Sequence, residues 1–403
     1  MRITDFLSTG MTFGSSIATI IFMQTALYIH FPFCVRKCLY CDFNSRAGSE
    51  IPQAAYTDAL IREMELRRDT LPDGASASTL YLGGGTPSLL EPALVERIIN
   101  AASRLFSLEP AAEITIEANP GTVNREKLAD YRSAGVNRLS LGIQSFSEEM
   151  LARLGRVHTV HEGLSSFAAA RTAGFANIGI DLIHSLPGQT LEMWRAELDR
   201  AVALRPEHIS AYGLTIEAGT PFHDMERSGE LALPEEETAA EMFENTSEQL
   251  GEAGFEHYEI SNFSLPGFRS RHNQVYWQRG DYLGFGAGAH SFLSFPRFGS
   301  RWKNPDTPES YMQTITYGVA PLEEFSILTE HEAMSETLFL GLRMMEGVDG
   351  NGFRLEFGRL LEEAYPEELR TLLKEGLLAW QKGHLRLTCR GLILANQVVI
   401  RFV

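Results

Sequence analysis

"EITIEANPGTVNREKLADYRSAGVNRLSLGIQSF", residues 113–146, holds a complete strand-helix-strand unit. "EITIEA" (113–118) alternates β-branched and polar residues, "REKLADYRSAG" (125–135) places its apolar residues at helical spacing, and "RLSLGI" (138–143) returns to a strand pattern. The same alternation extends in both directions. Strands are expected at "ALYIHF" (26–31), "TLYLGG" (79–84), "NIGIDLI" (177–183) and "HISAYGL" (208–214). Helices are expected at "YTDALIREMELRR" (56–68), "ALVERIINAASRLF" (93–106) and "LEMWRAELDRAVAL" (191–204). Six βα units in succession imply a parallel sheet. Because parallel crossovers are right-handed, the sequence predicts an α/β fold built on a partial (β/α) barrel, with an open doubly wound sheet as the alternative. In both, ligands bind at the C-terminal ends of the strands.

The unusual residues fall at those ends. A cysteine loop follows the first strand, "GGGTP" (83–87) the second, "EANPG" (117–121) the third, "GIQSF" (142–146) the fourth and "DLIHSLPGQT" (181–190) the fifth. They are expected to share one rim.

A chain of 403 residues, 44% of them hydrophobic, can bury a large core without disulfides or a structural metal. Its four cysteines are therefore read as chemical. Cys34, Cys38 and Cys41 cluster in "YIHFPFCVRKCLYCDF" (28–43), far from Cys389, which suggests a reducing compartment and a metal. A net charge of −17 argues against nucleic acid, whose phosphates attract Lys and Arg. Zinc normally takes four closed ligands, and only a site completed by His30 would supply them here. Three thiolates suit a [4Fe–4S] cluster that leaves one iron open to a substrate or cofactor. Glycines 83–85 allow close backbone approach. Glu117 and Asp181 are strand-end carboxylates that need a partner or a shifted pKa.

C-x3-C-x2-C after a first strand, an aromatic-Pro-aromatic loop and "GGGTP" together resemble the radical S-adenosylmethionine (SAM) superfamily. Within it they resemble the oxygen-independent coproporphyrinogen III oxidase family, including its haem-chaperone (HemW) branch. The likeness runs from about Tyr28 to the C-terminus. It implies a [4Fe–4S] cluster on Cys34, Cys38 and Cys41, and SAM bound through its amino and carboxylate groups to the open iron. It also implies SAM contacts from Tyr28, Gly84, Gly85, Thr86, Glu117, Gln144, Arg156 and Asp181. Oxidases of the family continue to C-x3-C-x2-C-x-C, whereas Phe43 stands at the extra position here. "RHNQVYW" (271–277) matches the HNxxYW pattern of the chaperone branch, which makes His272 a candidate axial ligand of haem beside the flat rings of Tyr276 and Trp277. The competing reading is a helix that starts at His272 and Asn273, with Asn273 as its cap and those rings in the core.

The expected function is a haem chaperone that binds haem, cluster and SAM and delivers haem to apo-haemoproteins. The alternative is a coproporphyrinogen oxidase-like radical SAM oxidoreductase. Expected partners are those clients and an electron donor such as flavodoxin or ferredoxin. Expected location is the cytoplasm, with at most peripheral membrane association. Four segments are expected: an extension (1–22) with Met23 a plausible start, a radical SAM domain (23–265), a family-specific region (266–320) and a winged-helix-like C-terminal domain (321–403). In the last, strands flank Lys382-Gly383 and Cys389 is an ordinary semi-buried residue. "PEEETAAEMFENTSEQLGEAG" (234–254) reads as a helix with a solvated acidic face and "FEHYEISNFS" (255–264) as one strand.

Overall fold

In a computed structural model, residues 24–71 and 75–403 are described, so the expected extension lies outside them. All six parallel strands are present: β1 (Gln24–Phe31), β2 (Ser76–Gly84), β3 (Leu108–Ala118), β4 (Arg138–Gln144), β5 (Ile178–His184) and β6 (His208–Gly213). Each pairs in parallel with the next in sequence. The strand order is sequential, without the reversal at a switch point that a doubly wound sheet carries.

The remaining strands of the sheet are β7 (Glu256–Glu259), β8 (Asn262–Ser264), β9 (Tyr282–Phe285), β10 (His290–Leu293), β11 (Ser300–Lys303) and β12 (Glu324–Ile327). The order is β12-β11-β10-β9-β1-β2-β3-β4-β5-β6-β8-β7, an open ladder with β9 parallel to β1. "FEHYEISNFS" is therefore a hairpin, β7 to β8, and not one strand. The turn is held by the Glu259 carboxylate, which accepts the Ser261 N–H at 2.9 Å, and by the Arg343 carbonyl, which accepts the Ile260 N–H at 3.1 Å.

The principal crossover helices are α1 (Gln53–Arg67), α2 (Pro92–Phe106), α3 (Arg125–Ala134), α4 (Val160–Thr172) and α5 (Leu191–Leu204). Helix α3 shows how sequence sets their bounds. The Asn124 side chain accepts the Lys127 N–H at 2.8 Å, and Gly135 closes the other end at φ 112°, a left-handed conformation that L side chains rarely adopt. Side chains of a strand alternate between faces. Leu80 and Leu82, Ile114 and Ile116, Leu139 and Leu141, and Ile178 and Ile180 belong to the large apolar core under the helices. The residues between them, among them Tyr81, Glu117, Arg138, Ser140 and Asp181, line a cavity of about 430 Å³.

Residues 333–402 build a second, smaller core around Leu338, Phe353, Leu369 and Val398. This largely helical region carries a three-stranded sheet of β13 (Val348–Asp349), β14 (Leu378–Gln381) and β15 (His384–Leu387), in the order β13-β15-β14. Cys389 begins the helix after β15 and is exposed, not semi-buried. Among the described residues no helix is long and apolar enough to cross a membrane.

Candidate functional site

The cysteine loop leaves β1 and is tied off at its base. Phe33 and Cys34 pair with Arg46 and Ala47, and the Gly48 N–H donates to the Cys34 carbonyl at 3.1 Å. Its tip is fixed by the Leu39 N–H on the Leu154 carbonyl, 3.1 Å, and the Phe222 N–H on the Leu39 carbonyl, 3.1 Å. All three loop cysteines are free thiols lining the mouth of the cavity. Among the described residues no three His, Cys, Asp or Glu side chains converge on a single-ion site. Zinc would require such convergence, whereas a cubane distributes its thiolates over different irons. His30, the fourth ligand of the zinc alternative, has both ring nitrogens engaged: Nδ1 lies 3.0 Å from the Tyr28 hydroxyl and Nε2 2.8 Å from the Asn44 carbonyl.

Donors already point at the sulfurs. The Thr86 hydroxyl donates to Cys34 Sγ at 3.4 Å, and Arg156 Nη1 donates to Cys38 Sγ at 3.4 Å. Burial pushes the Cys34 and Cys41 thiols up, the Thr86 hydroxyl bond opposing it at Cys34, so thiolates here depend on such donors or on a metal. Asn119 joins the two donors, giving Nδ2–H to Thr86 Oγ1 at 2.9 Å and accepting Arg156 Nη2–H at 2.6 Å. Gly85 fits beneath the loop because a Cβ there would lie 2.7 Å from the Phe33 carbonyl oxygen and 3.0 Å from Cys34 Sγ.

Two half-buried carboxylates form the walls. Glu117 accepts the Tyr81 hydroxyl at 2.8 Å and the Gly84 N–H at 3.1 Å, a geometry that Gly84 reaches at φ +115°. Burial pushes its pKa up to about 7 despite those bonds. Asp181 accepts the Ser140 hydroxyl at 3.1 and 3.2 Å, and burial raises its pKa as well. Neither forms an ion pair with a described residue, so a cationic or N–H-rich ligand is what this wall suits. Gln144, at φ 66°, ends β4 in the left-handed region and lines the same space.

Gly84, Gly85, Thr86, Glu117, Gln144, Arg156 and Asp181 thus meet the three thiols at one cavity. Tyr28 and His272 do not line it. Tyr28 is half-buried, its ring 6.2 Å from that of Tyr81. His272 is 1% exposed; Nδ1 lies 2.7 Å from the Thr79 hydroxyl and Nε2 2.8 Å from the Tyr276 hydroxyl. Burial pushes its pKa down to about 3, so it is neutral, but neither nitrogen is free to take an axial bond. Tyr276 is turned edge-on to His272 and Tyr282, and Arg343 covers the Trp277 ring at 4.4 Å, so neither ring offers a flat platform. The helix α6 (Arg271–Trp277) is capped by Ser270, not Asn273, and it is Asn273 that reaches the cavity. Residues absent from the sequence expectation also line it, notably Asn119, Arg138, Ser140, His208 and Ser210. Their signal was the every-second-residue polarity of "RLSLGIQ" and "HISAYG".

Comparison with known proteins agrees with this geometry. Residues 28–201 match the radical SAM superfamily and residues 328–394 the HemN C-terminal domain. The heme chaperone HemW of Bacillus subtilis (strain 168) is 37% identical, over 93% of this chain and 98% of its own length. That of Escherichia coli (strain K12) is 42% identical over 67% of this chain and 71% of its own. The structure of coproporphyrinogen III oxidase (HemN) from Escherichia coli, a radical SAM enzyme, superposes with a TM-score of 0.80 at 25% identity, covering 94% of this chain and 90% of that one.

Proposed function

The chain belongs to the heme chaperone HemW family of the radical SAM superfamily, and from that premise we propose that it binds haem, a [4Fe–4S] cluster and SAM and delivers haem to apo-haemoprotein clients. The observation that carries the reading is the meeting of three free thiols with two half-buried, ion-pair-free carboxylates at one cavity. Cys34, Cys38 and Cys41 would hold the cluster, and their count leaves one iron for SAM. When bound and reduced, the cluster supplies an electron to the sulfonium. The chain's own residues bind and orient: Arg156 and Thr86 hold the sulfurs through Asn119, while Glu117 and Asp181 accept N–H and hydroxyl groups. Tyr28 supports this wall from behind. Gly84, Gly85 and Gln144 supply backbone and amide contacts at the rim. A haem bond to His272 would require α6 to shift and two hydrogen bonds to break, so the haem ligand is sought elsewhere.

The division of labour would follow the expected segments: 23–265 for cluster and SAM, 266–320 for closing the cavity, and 321–403 for client contact. A flavodoxin- or ferredoxin-like donor would supply the electron, in the cytoplasm. The second reading, coproporphyrinogen III oxidation, is favoured by the fold match to HemN. Against it stands Phe43, 62% exposed at the cavity mouth where oxidases carry a further cysteine. Parallel assays decide. Reconstituted protein should give a Soret band with haemin and pass haem to an apo-haemoprotein, with no turnover of coproporphyrinogen III under SAM and reductant. Accumulation of protoporphyrinogen IX would overturn the chaperone reading.

A further inference from the structure

Arg67 and Arg138 are both fully buried, yet their donors are used in opposite ways. Arg67 spends them inside the protein, Nε on the Glu63 carboxylate at 3.0 Å and Nη2 on the Asn304 amide oxygen at 3.2 Å and the Pro321 carbonyl. Arg138 opens β4 on the cavity face, and its Nε has no partner among the described residues. The groups facing it are Glu113, Asp181, Tyr81 and Tyr258. Their hydrogen-bonding capacity is engaged elsewhere. Glu113 accepts the backbone N–H groups of Arg271 and His272 at 3.2 and 3.1 Å, Asp181 accepts from Ser140, and Tyr81 donates to Glu117. The Arg138 charge is balanced at a distance while donor capacity stays unspent. A guanidinium cannot escape that cost by losing its proton.

His208 on β6 is in the same position. Its Nε2 lies 2.7 Å from the Tyr258 hydroxyl, and that oxygen accepts the Ser270 N–H at 3.3 Å. In the tautomer that this subsite uses, the phenol donates to Nε2 and the ring proton sits on Nδ1. Nδ1 has no partner among the described residues and His208 lines the cavity. Between the two stands Gly179 of β5. A Cβ there would lie 3.4 Å from His208 Nδ1 and 3.5 Å from Arg138 Nη2. Arg138 Nη2 from β4, on the same guanidinium as the unpartnered Nε, and His208 Nδ1 from β6 therefore flank one gap that a glycine on the intervening strand leaves open. Arg138 and Gln144 are opposite ends of β4, about 20 Å of extended chain apart, so the gap is at the far end of the cavity from the thiols.

We propose that Arg138 and His208 form a carboxylate-binding subsite at the floor of this cavity. The carboxylate this depth suits is a propionate arm of a tetrapyrrole, because the amino-acid carboxylate of SAM is assigned to the open iron at the thiol end. Naming that source rests on the function proposed above, but the subsite does not.

Acetate tests the subsite alone. Titrated against chloride at equal ionic strength, it should raise the Tm of the wild type and not that of Arg138→Met. Gly179→Ala is the second variant. Its methyl makes only ordinary van der Waals contacts, so it should fold while filling the gap and should also lose the acetate response. No response in the wild type, or an undiminished one in a folded variant, overturns the proposal. The source is read by affinity for haemin against haemin dimethyl ester. The subsite predicts a preference of about tenfold for the free carboxylate, lost in Arg138→Met. An equal preference in wild type and variant would also overturn it. A wild type that binds no haemin at all would count against the proposed function, with the acetate arm still deciding the subsite.

Discussion

The two faces of the parallel sheet are made by the same strands and obey opposite rules. On β4, Leu139, Leu141 and Ile143 enter the apolar core, while Arg138, Ser140, Gly142 and Gln144 face the cavity. Each fully buried apolar side chain on the first face contributes about 1.5–3 kcal/mol to folding. The second face carries charged and hydroxyl groups at a stability cost unless each finds a partner. The fold is thus held by one half of every strand and the chemistry by the other.

Neighbouring substitutions on β5 test the contrast most strongly. Ile180→Ala should cost about 2–5 kcal/mol in urea unfolding. Asp181→Asn, one residue on, should leave the stability of the apo protein unchanged or slightly raised and weaken SAM binding, because burial already disfavours its charge. Equal losses from both would dissolve the distinction between the faces.

Glu117 sharpens it through pH. An unfolded glutamate loses its proton near about 4.3, whereas folded Glu117 keeps its proton up to about 7. Its contribution is complete below the lower value, declines as pH rises, and is lost above the higher. Glu117→Gln removes that decline, so the apo variant should match wild type at pH 4 and exceed it at pH 8 by up to about 3 kcal/mol. Parallel stability profiles would show that the carboxylate is stabilised by something else.

His272→Ala should cost about 2–3 kcal/mol, since it strands the Thr79 and Tyr276 hydroxyls, while leaving the haemin Soret band in place. A displaced Soret band would return His272 to the role its motif suggested. Asn119→Ala should cost only about 1 kcal/mol and yet speed the loss of iron to a ferrous chelator, because it frees both Thr86 and Arg156. Unchanged iron release would mean that the two donors hold the sulfurs independently.

How far the letters went differs between these faces too. Strand bounds such as Arg138–Gln144 against the expected 138–143 were legible because alternation is written in consecutive residues. Most of the expected rim also came together, since strand ends in a parallel sheet share an edge. The hairpin within 255–264 was not legible, because its turn is satisfied by Arg343, far along the chain. The burial of His272 between Thr79 and Tyr276 was not legible, because a motif names residue types and not the direction of a side chain. Arg138, Gly179 and His208 lie on three strands, and only the pairing register of β4, β5 and β6 brings them together.

Metal content and EPR after anaerobic reconstitution test the central claim, that the cavity's thiols carry an iron–sulfur cluster. The account predicts about four irons per chain and, on reduction, a cubane signal that changes when SAM is added. Each of Cys34→Ala, Cys38→Ala and Cys41→Ala should abolish it, while Cys389→Ala, exposed and remote, should not. Stoichiometric zinc without iron in the wild type, or full iron retention in any of the three loop variants, would contradict it.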